Sequence, residues 1–356
     1  VKIMKSSSSK NILWWGRFDP EYSRNRILRN LLRLSGYTLQ DFIPRVSSLG
    51  SFERLFAKFS VPDAVWVPAF RQKDFYSARR YADKHHIPLI FDPLISAWDK
   101  ALFERKKFQE SDRKALKLLQ WEQSMFSCSD LVIADTTPHA LFFIEKLLAP
   151  RDKTVVVPVG AEESLFNMQP LHPPGTPPEI FFFGSFINLQ GPEVIIQAAL
   201  QLPKARWTLL GQGPLRKVCE EKSMGQQHIH FEDWHPYEKL PERIGKADIL
   251  LGIFGTSPKS GRVIPNKAYQ ALACGRPLIT RESTAYPQEI VGNPNCGVTF
   301  VPAGDPKALA DAVKKMIDSS DQIPKSAKKA RRTYETYFGE SQIKHTLISA
   351  LTQLGL

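Results

Sequence analysis

Short apolar runs alternate with longer segments of helical spacing along the whole chain. The runs of the first half lie at residues 11–15, 64–67, 88–91, 131–134 and 154–157. Those of the second half lie at residues 179–183, 206–210, 229–231, 248–251, 277–280 and 298–301. Short β-rich runs separated by helices are typical of doubly wound parallel sheets. The pattern therefore predicts an α/β protein with two Rossmann-like halves.

The periodicity fails between residues 158 and 178, where prolines gather in the sequence His172-Pro-Pro-Gly-Thr-Pro-Pro178. Such a composition is typical of a connection between domains. We therefore predict a first domain at residues 1–160, a linker at 161–178 and a second domain at 179–333. Residues 334–356 again have helical apolar spacing, and this helix could pack back across the junction.

The predicted helix at residues 24–34 has two kinds of surface. One is an apolar stripe, made of Ile27, Leu31 and Leu34. The other is a basic face, made of Arg26, Arg29 and Arg33. This spacing indicates a helix that packs on a sheet by its apolar stripe and exposes its arginines.

The length and composition agree with two folded domains. A chain of 356 residues exceeds the size at which one core stops growing. Hydrophobic residues make up 42% and charged residues 24%, and no apolar run approaches the ~20 residues of a membrane-spanning helix. Serines occupy residues 6–9, where a secretory signal would need an apolar stretch. We therefore expect a cytoplasmic protein.

The net charge of +12 is concentrated in the first half. Residues 1–160 contain 26 Lys and Arg against 17 Asp and Glu, and residues 161–356 contain 22 against 19. Besides the arginine face, a second basic cluster comprises Arg105, Lys106, Lys107, Arg113, Lys114 and Lys117. Such faces can meet an anionic membrane surface or can simply be solvated. A nucleic-acid partner is not expected, because no recognition helix or aromatic RNA-binding pattern accompanies the charge.

The four cysteines and the histidines do not indicate a metal site. Cys128, Cys219, Cys274 and Cys296 are far apart in the sequence, without a C-x-x-C pair or a neighbouring histidine cluster. We therefore expect no metal, and we interpret Cys274 as a small packed residue.

The segment 263–280 joins a Pro-Asn-Lys turn to a helix of small residues and then, through Cys-Gly-Arg-Pro, to an apolar strand. A turn that opens directly into a helix leaves the first backbone N–H groups and the positive end of the helix dipole exposed, which suits a diphosphate. Lys267 adds a mobile positive charge there. The alternative is an ordinary connection between a helix and a strand.

In the first half, polar residues follow the predicted strands. Arg17, Asp92 and Asp135 come directly after three of them. Ligands of doubly wound sheets bind at the carboxyl ends of strands, so these positions are candidates for an acceptor site. Asp92 is either a carboxylate that orients the acceptor or the cap of a helix. His139 is expected to be a surface residue of a helix.

The chain resembles the retaining glycosyltransferases of the GT-B fold, specifically glycosyltransferase family 4. Five segments of the second half carry the resemblance in order. They are Phe183-Gly-Ser-Phe-Ile-Asn-Leu-Gln-Gly191, Leu209-Leu-Gly-Gln-Gly-Pro214, Phe231-Glu-Asp-Trp234, residues 247–255 and residues 265–280. Residues 16–25 and 91–98 resemble the acceptor-side loops of some of these enzymes. The resemblance implies two Rossmann-like domains that face each other across a cleft.

The same resemblance implies roles for individual residues. Donor binding falls to Gly184, Ser185, Phe186, Gln190, Gly211, Gly213, Trp234, Phe254, Gly255, Lys259, Ile264, Pro265, Asn266 and Gln270. Catalytic roles fall to Lys267, Arg262 and Asp92. Acceptor contacts fall to Gly16, Arg17, Tyr22, Arg24 and Asn25. Trp234 would lie near the nucleotide base, although a position in the core is the simpler interpretation of a tryptophan.

The chain departs from the family pattern at three charged positions. Arg262 and Gln270 stand where family members have two glutamates, and Gln190 stands where they have a lysine. Gln270 can still bond ribose hydroxyls, whereas Arg262 cannot accept a hydrogen bond. Lys267, Lys259 and Arg262 could replace the missing phosphate partners.

The family resemblance implies a metal-independent hexosyltransferase that works with retention. It would move a sugar from a UDP-sugar or GDP-sugar, without a cofactor, to a glycan or lipid-linked acceptor in polysaccharide or glycolipid assembly. The protein is expected in the cytoplasm. Its basic first half could also bind it peripherally to the cytoplasmic face of the membrane. The alternatives are a catalytically lapsed partner protein and a nucleotide-sugar epimerase of the same fold.

Overall fold

The computed structural model describes residues 9–54, 60–105 and 107–356, which form two compact units. Unit 1 contains the described residues up to Pro158 together with Ile343–Leu356. Unit 2 is Val159–Gln342. Residues 1–8 and Lys106, on which the interpretations of the amino-terminal segment and of the second basic cluster partly rest, lie outside the described residues.

Unit 1 is a six-stranded parallel sheet with helices on both faces. Its strands are β1 Asn11–Trp15, β2 Thr38–Phe42, β3 Ala64–Val67, β4 Leu89–Phe91, β5 Leu131–Ala134 and β6 Thr154–Val156, in the order β2-β1-β3-β4-β5-β6. Its helices in the first part of the chain are α1 Ser23–Leu34, α2 Gly50–Glu53, α3 Phe75–His85, α4 Ala97–Asp99, α5 Arg113–Ser127 and α6 Thr137–Leu147. Short turns of helix lie at Ser47–Leu49, Gln72–Asp74, Lys100–Glu104 and Arg151–Lys153.

Unit 2 repeats this architecture. Its strands are β7 Glu179–Phe183, β8 Arg206–Leu210, β9 Ile229–Glu232, β10 Ile249–Leu251, β11 Leu278–Arg281 and β12 Val298–Val301, in the order β12-β11-β10-β7-β8-β9. Its helices are α7 Pro192–Ala199, α8 Arg216–Lys222, α9 Leu240–Gly245, α10 Asn266–Ala273, α11 Pro306–Asp318 and α12 Ile323–Tyr337, after which α13 spans Glu340–Gln353. Every strand pairing in both sheets is parallel, which confirms the predicted fold class.

The central strands are buried on both faces because helices cover both. In β1, Leu13 and Trp15 point into one core and Ile12 and Trp14 into the other. Trp14 stacks on Trp66 of β3, with ring centroids 4.8 Å apart. The nearly continuous apolar runs that predicted the strands follow from this double burial.

Strand β2 was not among the predicted strands. Its sequence Thr-Leu-Gln-Asp-Phe is largely polar, and only Phe42 is buried. It pairs with β1 alone, at the edge of the sheet, so one side of its backbone needs no strand neighbour. Edge strands carry polar residues more readily than central ones, and the apolar pattern therefore missed it.

The segment predicted as a linker packs against unit 2. Phe166 is fully buried, and the Gln169 backbone N–H donates to the Cys274 carbonyl at 3.1 Å. Arg276 donates to the Pro170 carbonyl at 2.7 Å, and Asp248 accepts hydrogen bonds from the Gly175 and Glu179 backbone N–H groups. The proline-rich composition therefore corresponds to irregular backbone. This backbone is held against the rest of unit 2 by hydrogen bonds and by the buried Phe166, so it is not a free linker.

The carboxyl-terminal helix completes the core of unit 1. Its Ile343, Leu347 and Leu351 are fully buried and pack in the same cluster as Ile12 and Leu28. The single helical segment expected at residues 334–356 is divided between α12 and α13 near Gly339.

Helix α1 differs from its prediction in two ways. Leu34 is 65% exposed, and the buried stripe is completed by Leu28 and Leu32 instead. Arg29 is buried, where it pairs with Asp41 at 2.7 Å and lies over the Trp14 ring. The arginines of α1 therefore do not form one exposed basic face. Among the described residues, no helix is long and apolar enough to cross a membrane.

Candidate functional site

Glycines allow the loops at the carboxyl ends of β7 and β8 to touch backbone to backbone. Gly184 has a φ of +140° and Gly211 a φ of +131°. A Cβ on Gly211 would collide with the Gly184 carbonyl oxygen, and one on Gly213 would come within 2.7 Å of the Phe186 backbone. Two hydrogen bonds, Gly184 N–H to Leu210 and Phe186 N–H to Gln212, each 2.9 Å, join the loops. The structure thus brings four of the predicted donor-site residues together.

The loop after β10 closes on the same place. A Cβ on Gly255 would press on the Asn188 and Leu189 carbonyls, and one on Gly191 would lie 2.8 Å from the Gly255 nitrogen. The Phe254 N–H donates to the Gln190 carbonyl at 3.0 Å. Three strand ends therefore present bare backbone at one edge of the unit 2 sheet, where ligands of such sheets bind.

Three of the predicted donor residues have their side chains in the hydrophobic interior. Phe186 and Phe254 are fully buried, and Ile264 is nearly so. They can contribute backbone atoms to the site, but they do not offer a side chain to a ligand. The apolar residues of these motifs anchor the loops to the hydrophobic core.

Lys267 is the most unusual group of the site. It lies in the first turn of α10 and is 5% exposed, and its Nζ has no hydrogen-bond partner among the described residues. The Nζ lies 3.5 Å from the centre of the Phe182 ring and would be 2.9 Å from a Cβ on Gly184. Burial holds the pKa of this ammonium well below its ordinary value. A buried cation without a counter-charge is costly, so a group of this kind is a candidate for anion binding.

Gln190 faces the same glycine. Its Oε1 is buried without a partner among the described residues and would lie 3.7 Å from a Cβ on Gly184. Ser185, next in the loop, is exposed. The position that holds a lysine in the family pattern therefore offers a neutral amide, and Lys267 reaches the loop from α10 instead.

The amino end of α10 supplies no acidic group that would neutralise Lys267. Pro265 precedes the helix in an extended conformation, Asn266 is its first residue, and its first turn contains no carboxylate. Gln270 is buried one turn further on. The predicted turn-to-helix junction is thus formed, and Gly275, with a φ of +64°, follows the helix as the sequence predicts.

Sequence reasoning missed Arg281, at the carboxyl end of β11. Its Nη1 donates to the Gly255 carbonyl at 2.7 Å and to the Ser260 hydroxyl at 2.8 Å. Burial lowers the pKa of this guanidinium. Lys259 is buried in the same loop and Arg262 is half-buried after it. Arg281 thus holds the loop that carries Lys259 and Arg262. The one sequence signal for this role is the position of Arg281 at the end of a predicted strand.

Arg216 is a second missed residue. It donates to the Glu232 carbonyl at 3.0 Å and also to the Gly211 carbonyl, and its guanidinium lies over the Phe231 ring. It therefore ties the second glycine turn to the end of β9. Trp234, two residues after β9, is 76% exposed. The interpretation of Trp234 as a core residue is wrong, because the chain has left the sheet by that point.

In unit 1 the predicted acceptor residues divide into buried and exposed ones. Arg17 is exposed, and its N–H donates to Asp74 Oδ2 at 3.3 Å. Gly16 has a φ of +136° and sits against the same carboxylate. Tyr22 is half-buried with its ring edge against Phe70, and Asn25 is buried, donating to the Asp19 carbonyl. Of these residues only Arg17 is exposed, because Gly16 is buried beside Asp74 and Arg71.

Arg24 and Asp92 form a fully buried ion pair. Arg24 Nε lies 2.9 Å from both carboxylate oxygens, and Nη1 donates to the Val157 carbonyl at 3.1 Å. Burial raises the pKa of the Asp92 carboxyl, and Arg24 opposes that shift. The helix that follows Asp92 starts at Ala97 and is capped by Ser96, so the interpretation of Asp92 as a cap is wrong. Its geometry suits a residue that holds Arg24 in place near the start of α1.

His139 is buried, contrary to the expectation of a surface residue. Its Nδ1 lies 2.6 Å from Asp135 Oδ1, and its ring packs on Phe143. Asp135 follows β5, and Thr136 caps α6, so the turn between them directs the histidine inward. A helical position alone could not show which side of α6 faces the sheet.

The four cysteines are not joined in disulfides. Cys128, Cys219, Cys274 and Cys296 are free thiols, and burial raises the pKa of Cys274 to about 12. Such a thiol is not a nucleophile. Within the described residues, no three His, Cys, Asp or Glu side chains are grouped so that they could hold a metal ion.

Comparison with known proteins identifies the second half of the chain. Residues 177–319 match the family model for glycosyl transferases group 1. The matched residues lie within unit 2. The three glycine-rich strand ends, Lys267 and Arg281 all lie within the matched segment.

One curated relative is the putative colanic acid biosynthesis glycosyltransferase WcaL of Escherichia coli strain K12. It is 28% identical over 246 residues, which are 65% of this chain and 59% of that protein. Spore coat protein SA of Bacillus subtilis strain 168 is 22% identical over 185 residues, which are 48% of this chain and 47% of that protein. The chain thus spans about half of the length of these relatives.

Solved structures resemble nearly the whole chain. Anabaena HepE in complex with UDP and glucose has a TM-score of 0.72 at 14% identity, covering 97% of this chain and 100% of HepE. Sucrose-phosphate synthase of Thermosynechococcus elongatus has a TM-score of 0.76 at 16% identity, covering 97% and 99%. These likenesses show the GT-B fold.

Proposed function

We propose that this protein is a glycosyltransferase that moves a sugar from a nucleotide diphosphate sugar to a hydroxyl acceptor with retention of configuration. The observation that supports this most directly is Lys267, a buried lysine whose Nζ has no hydrogen-bond partner in the described parts of the chain. It lies against the glycine loop of the segment that matches glycosyl transferases group 1. The proposal extends to independence from metal ions and from cofactors. Donor binding and leaving-group stabilisation then fall to this chain's own residues.

The proposed mechanism is electrostatic. As the glycosidic bond breaks, negative charge develops on the leaving diphosphate, and preorganised positive groups lower the energy of that state. Lys267 and the first N–H groups of α10 supply this charge, and Arg281 keeps the loop with Lys259 and Arg262 in place. The glycines of the strand ends let the phosphates approach the backbone closely.

The donor is proposed to be a UDP-sugar, with a GDP-sugar as the second choice. HepE, which shares the fold, was solved with UDP and glucose. In this chain the exposed ring of Trp234 lies beyond β9, next to Asp233, whose carboxylate accepts a hydrogen bond from Gln212 at 2.8 Å. An exposed aromatic ring at a strand end can stack on a base.

The acceptor is proposed to be a glycan or a lipid-linked sugar in the assembly of a surface polysaccharide, as the name of WcaL suggests for that relative. Among the residues proposed to contact it in unit 1, Arg17 is exposed, Tyr22 is half-buried, and the Arg24–Asp92 pair is fully buried. We place the protein in the cytoplasm, peripheral to an anionic membrane surface.

A thermal-shift measurement with UDP, GDP, ADP and their sugar conjugates tests donor binding. We expect UDP to raise the melting temperature, because a ligand at a hundred times its Kd stabilises the folded state by about 2.7 kcal/mol. Lys267→Ala should abolish the shift. Lys217→Ala, which removes a lysine that is 87% exposed in the same unit, should leave it unchanged. A UDP shift that survives in Lys267→Ala would contradict the role of this residue.

Turnover separates the proposed transferase from the alternatives. Release of UDP from a UDP-sugar in the presence of an acceptor, with an unchanged anomeric configuration by NMR, supports the transferase. Binding without release in any acceptor mixture supports a lapsed partner protein, which the replacements at Gln190 and Arg262 favour. Conversion of the UDP-sugar into an isomer without an acceptor supports an epimerase.

A further inference from the structure

Four large apolar side chains are exposed within ten residues after strand β2. Ile43, Val46, Leu49 and Phe52 are 59%, 47%, 53% and 60% exposed. They lie on the extended segment after β2, the helical turn Ser47–Leu49 and helix α2. We call these four side chains the apolar edge. Single exposed apolar residues are ordinary, but a contiguous group indicates an interaction surface.

The local structure holds the apolar edge outward. Gly50 packs directly on the Trp15 ring and the Ser77 hydroxyl, so the turn is pressed onto the core by a residue without a side chain. The Glu53 carboxylate accepts hydrogen bonds from the Arg45 and Val46 backbone N–H groups at 2.7 and 2.9 Å. The backbone is thus anchored on the inside while its apolar side chains point to solvent.

Among the residues that the structure describes, the charges around the apolar edge are mainly positive. Arg45 is exposed within it, and Arg80 donates to the Ser48 carbonyl at 2.7 Å. The turn that carries the exposed Lys73 packs beside the turn Ser47–Leu49. The neighbouring carboxylates are engaged, because Glu53 bonds the backbone and Asp41 pairs with Arg29. An apolar centre with a cationic rim complements an anionic lipid surface.

We infer that the apolar edge docks on an anionic bilayer. The four apolar side chains would enter the headgroup region, while Arg45, Lys73 and Arg80 meet lipid phosphates. The edge follows the carboxyl end of β2, and the Phe42 carbonyl accepts a hydrogen bond from the Gly16 N–H at 3.0 Å. The acceptor loop of unit 1 would therefore lie next to the membrane. The inference rests on the peripheral membrane position in the proposed function and assigns the membrane contact to the apolar edge. It does not assign the contact to α1, whose arginines are partly paired.

Sedimentation with vesicles tests the inference on the full chain. Vesicles of phosphatidylcholine with phosphatidylglycerol are compared with vesicles of phosphatidylcholine alone, at low and at physiological ionic strength. We expect binding to the anionic vesicles that weakens with salt. Ile43→Glu and Leu49→Glu should each weaken binding to anionic vesicles about tenfold. Each change removes apolar surface that would enter the bilayer and adds a negative charge that the anionic lipids repel.

The chain offers a matched control in the same unit. Leu34→Glu makes the same change at a leucine that is 65% exposed at the far end of α1, before β2 begins. It should bind vesicles like the wild type. All variants should keep the wild-type melting temperature and the UDP-induced shift, so a failure of membrane docking is distinguishable from a failure of donor binding.

Four results would overturn the inference. The first is equal binding to neutral and anionic vesicles, and the second is wild-type binding by Leu49→Glu. The third is loss of binding in Lys114→Glu with Lys117→Glu, with the apolar edge variants unaffected, which would place the surface on α5. The last is self-association that Leu49→Glu abolishes in the absence of lipid, which would make the edge an interface between copies of this chain.

Discussion

At the scale of residues, the charge of Lys267 is the feature with the clearest consequence. Burial lowers the pKa of its ammonium in the folded protein below the value in the unfolded chain. The folded state therefore holds this proton less tightly, and the charged form costs stability at pH values below the folded pKa. The cost is relieved as the pH rises through that pKa toward the ordinary lysine range.

Replacement of this lysine by an apolar side chain of similar length should stabilise the empty protein. We expect Lys267→Met to raise the melting temperature at neutral pH by about 2–4 °C, the shift that roughly 1 kcal/mol produces in a domain of this size. The gain should shrink as the pH is raised. Differential scanning calorimetry from neutral to alkaline pH measures it, with Lys217→Met as the control. A lower melting temperature for Lys267→Met at neutral pH would refute the assignment of a costly buried charge.

The residues that sequence reasoning misplaced are those whose environment depends on distant partners. Arg24 and Asp92 are 68 positions apart, and their mutual burial follows from the pairing of strands that no local pattern contains. His139 faces inward, where its Nδ1 lies 2.6 Å from Asp135 Oδ1. Trp234 is exposed because β9 has already ended. In contrast, Lys267 was recognisable, since the turn, the helix and the lysine are adjacent in sequence.

At the scale of elements, the contact between the two glycine loops should be intolerant of any side chain. Gly211→Ala would place a methyl group against the Gly184 carbonyl at a φ of +131°, so both the contact and the backbone are strained. We expect a loss of more than about 1 kcal/mol of stability and loss of the UDP-induced shift. Thermal melts with and without UDP measure both.

A second glycine separates the two causes. Gly225 has a φ of +80° but no atom within 4 Å of an added Cβ. Gly225→Ala should therefore show the backbone strain alone and keep its response to UDP. Equal effects on UDP binding at the two positions would mean that the loop contact does not shape the site.

The elements themselves were largely predictable, because the central strands are buried on both faces and read as apolar runs. Eleven of the twelve strands lie within one residue of the predicted runs at both ends, among them β7, β8 and β12. Every predicted strand is present in the structure. The structure also contains β2, whose polar sequence suits a strand at the edge of the sheet. Loops were less predictable, since Arg281 and Arg216 act by bonding carbonyls whose positions the fold alone determines.

At the scale of the whole molecule, helix α13 makes unit 1 depend on residues from the other end of the chain. Leu347 is fully buried in the core that also contains Leu28 and Trp66. We expect Leu347→Ala to destabilise unit 1 by about 2–5 kcal/mol, as removal of buried leucines does in other cores. Calorimetry should show that the transition insensitive to UDP moves to lower temperature, while the UDP-sensitive transition of unit 2 stays in place.

The matching change in unit 2 is Leu309→Ala, at a leucine that is equally buried in the core of that unit. It should move the UDP-sensitive transition and leave the other one unchanged. If either variant shifts both transitions by the same amount, the two units unfold as one cooperative system and the separation into two cores has no energetic meaning.

The division of unit 1 between two distant stretches also bears on how the chain is made. The ribosome finishes Pro158 long before Ile343, and at roughly 5–20 residues per second the interval is on the order of ten seconds or more. During that time the groove that will receive α13 is open, with its leucines and tryptophans in contact with water or with a chaperone. Unit 2 can fold meanwhile from a continuous stretch of chain. Synthesis order and folding order are thus reversed, and the half that emerges first is the half that matures last.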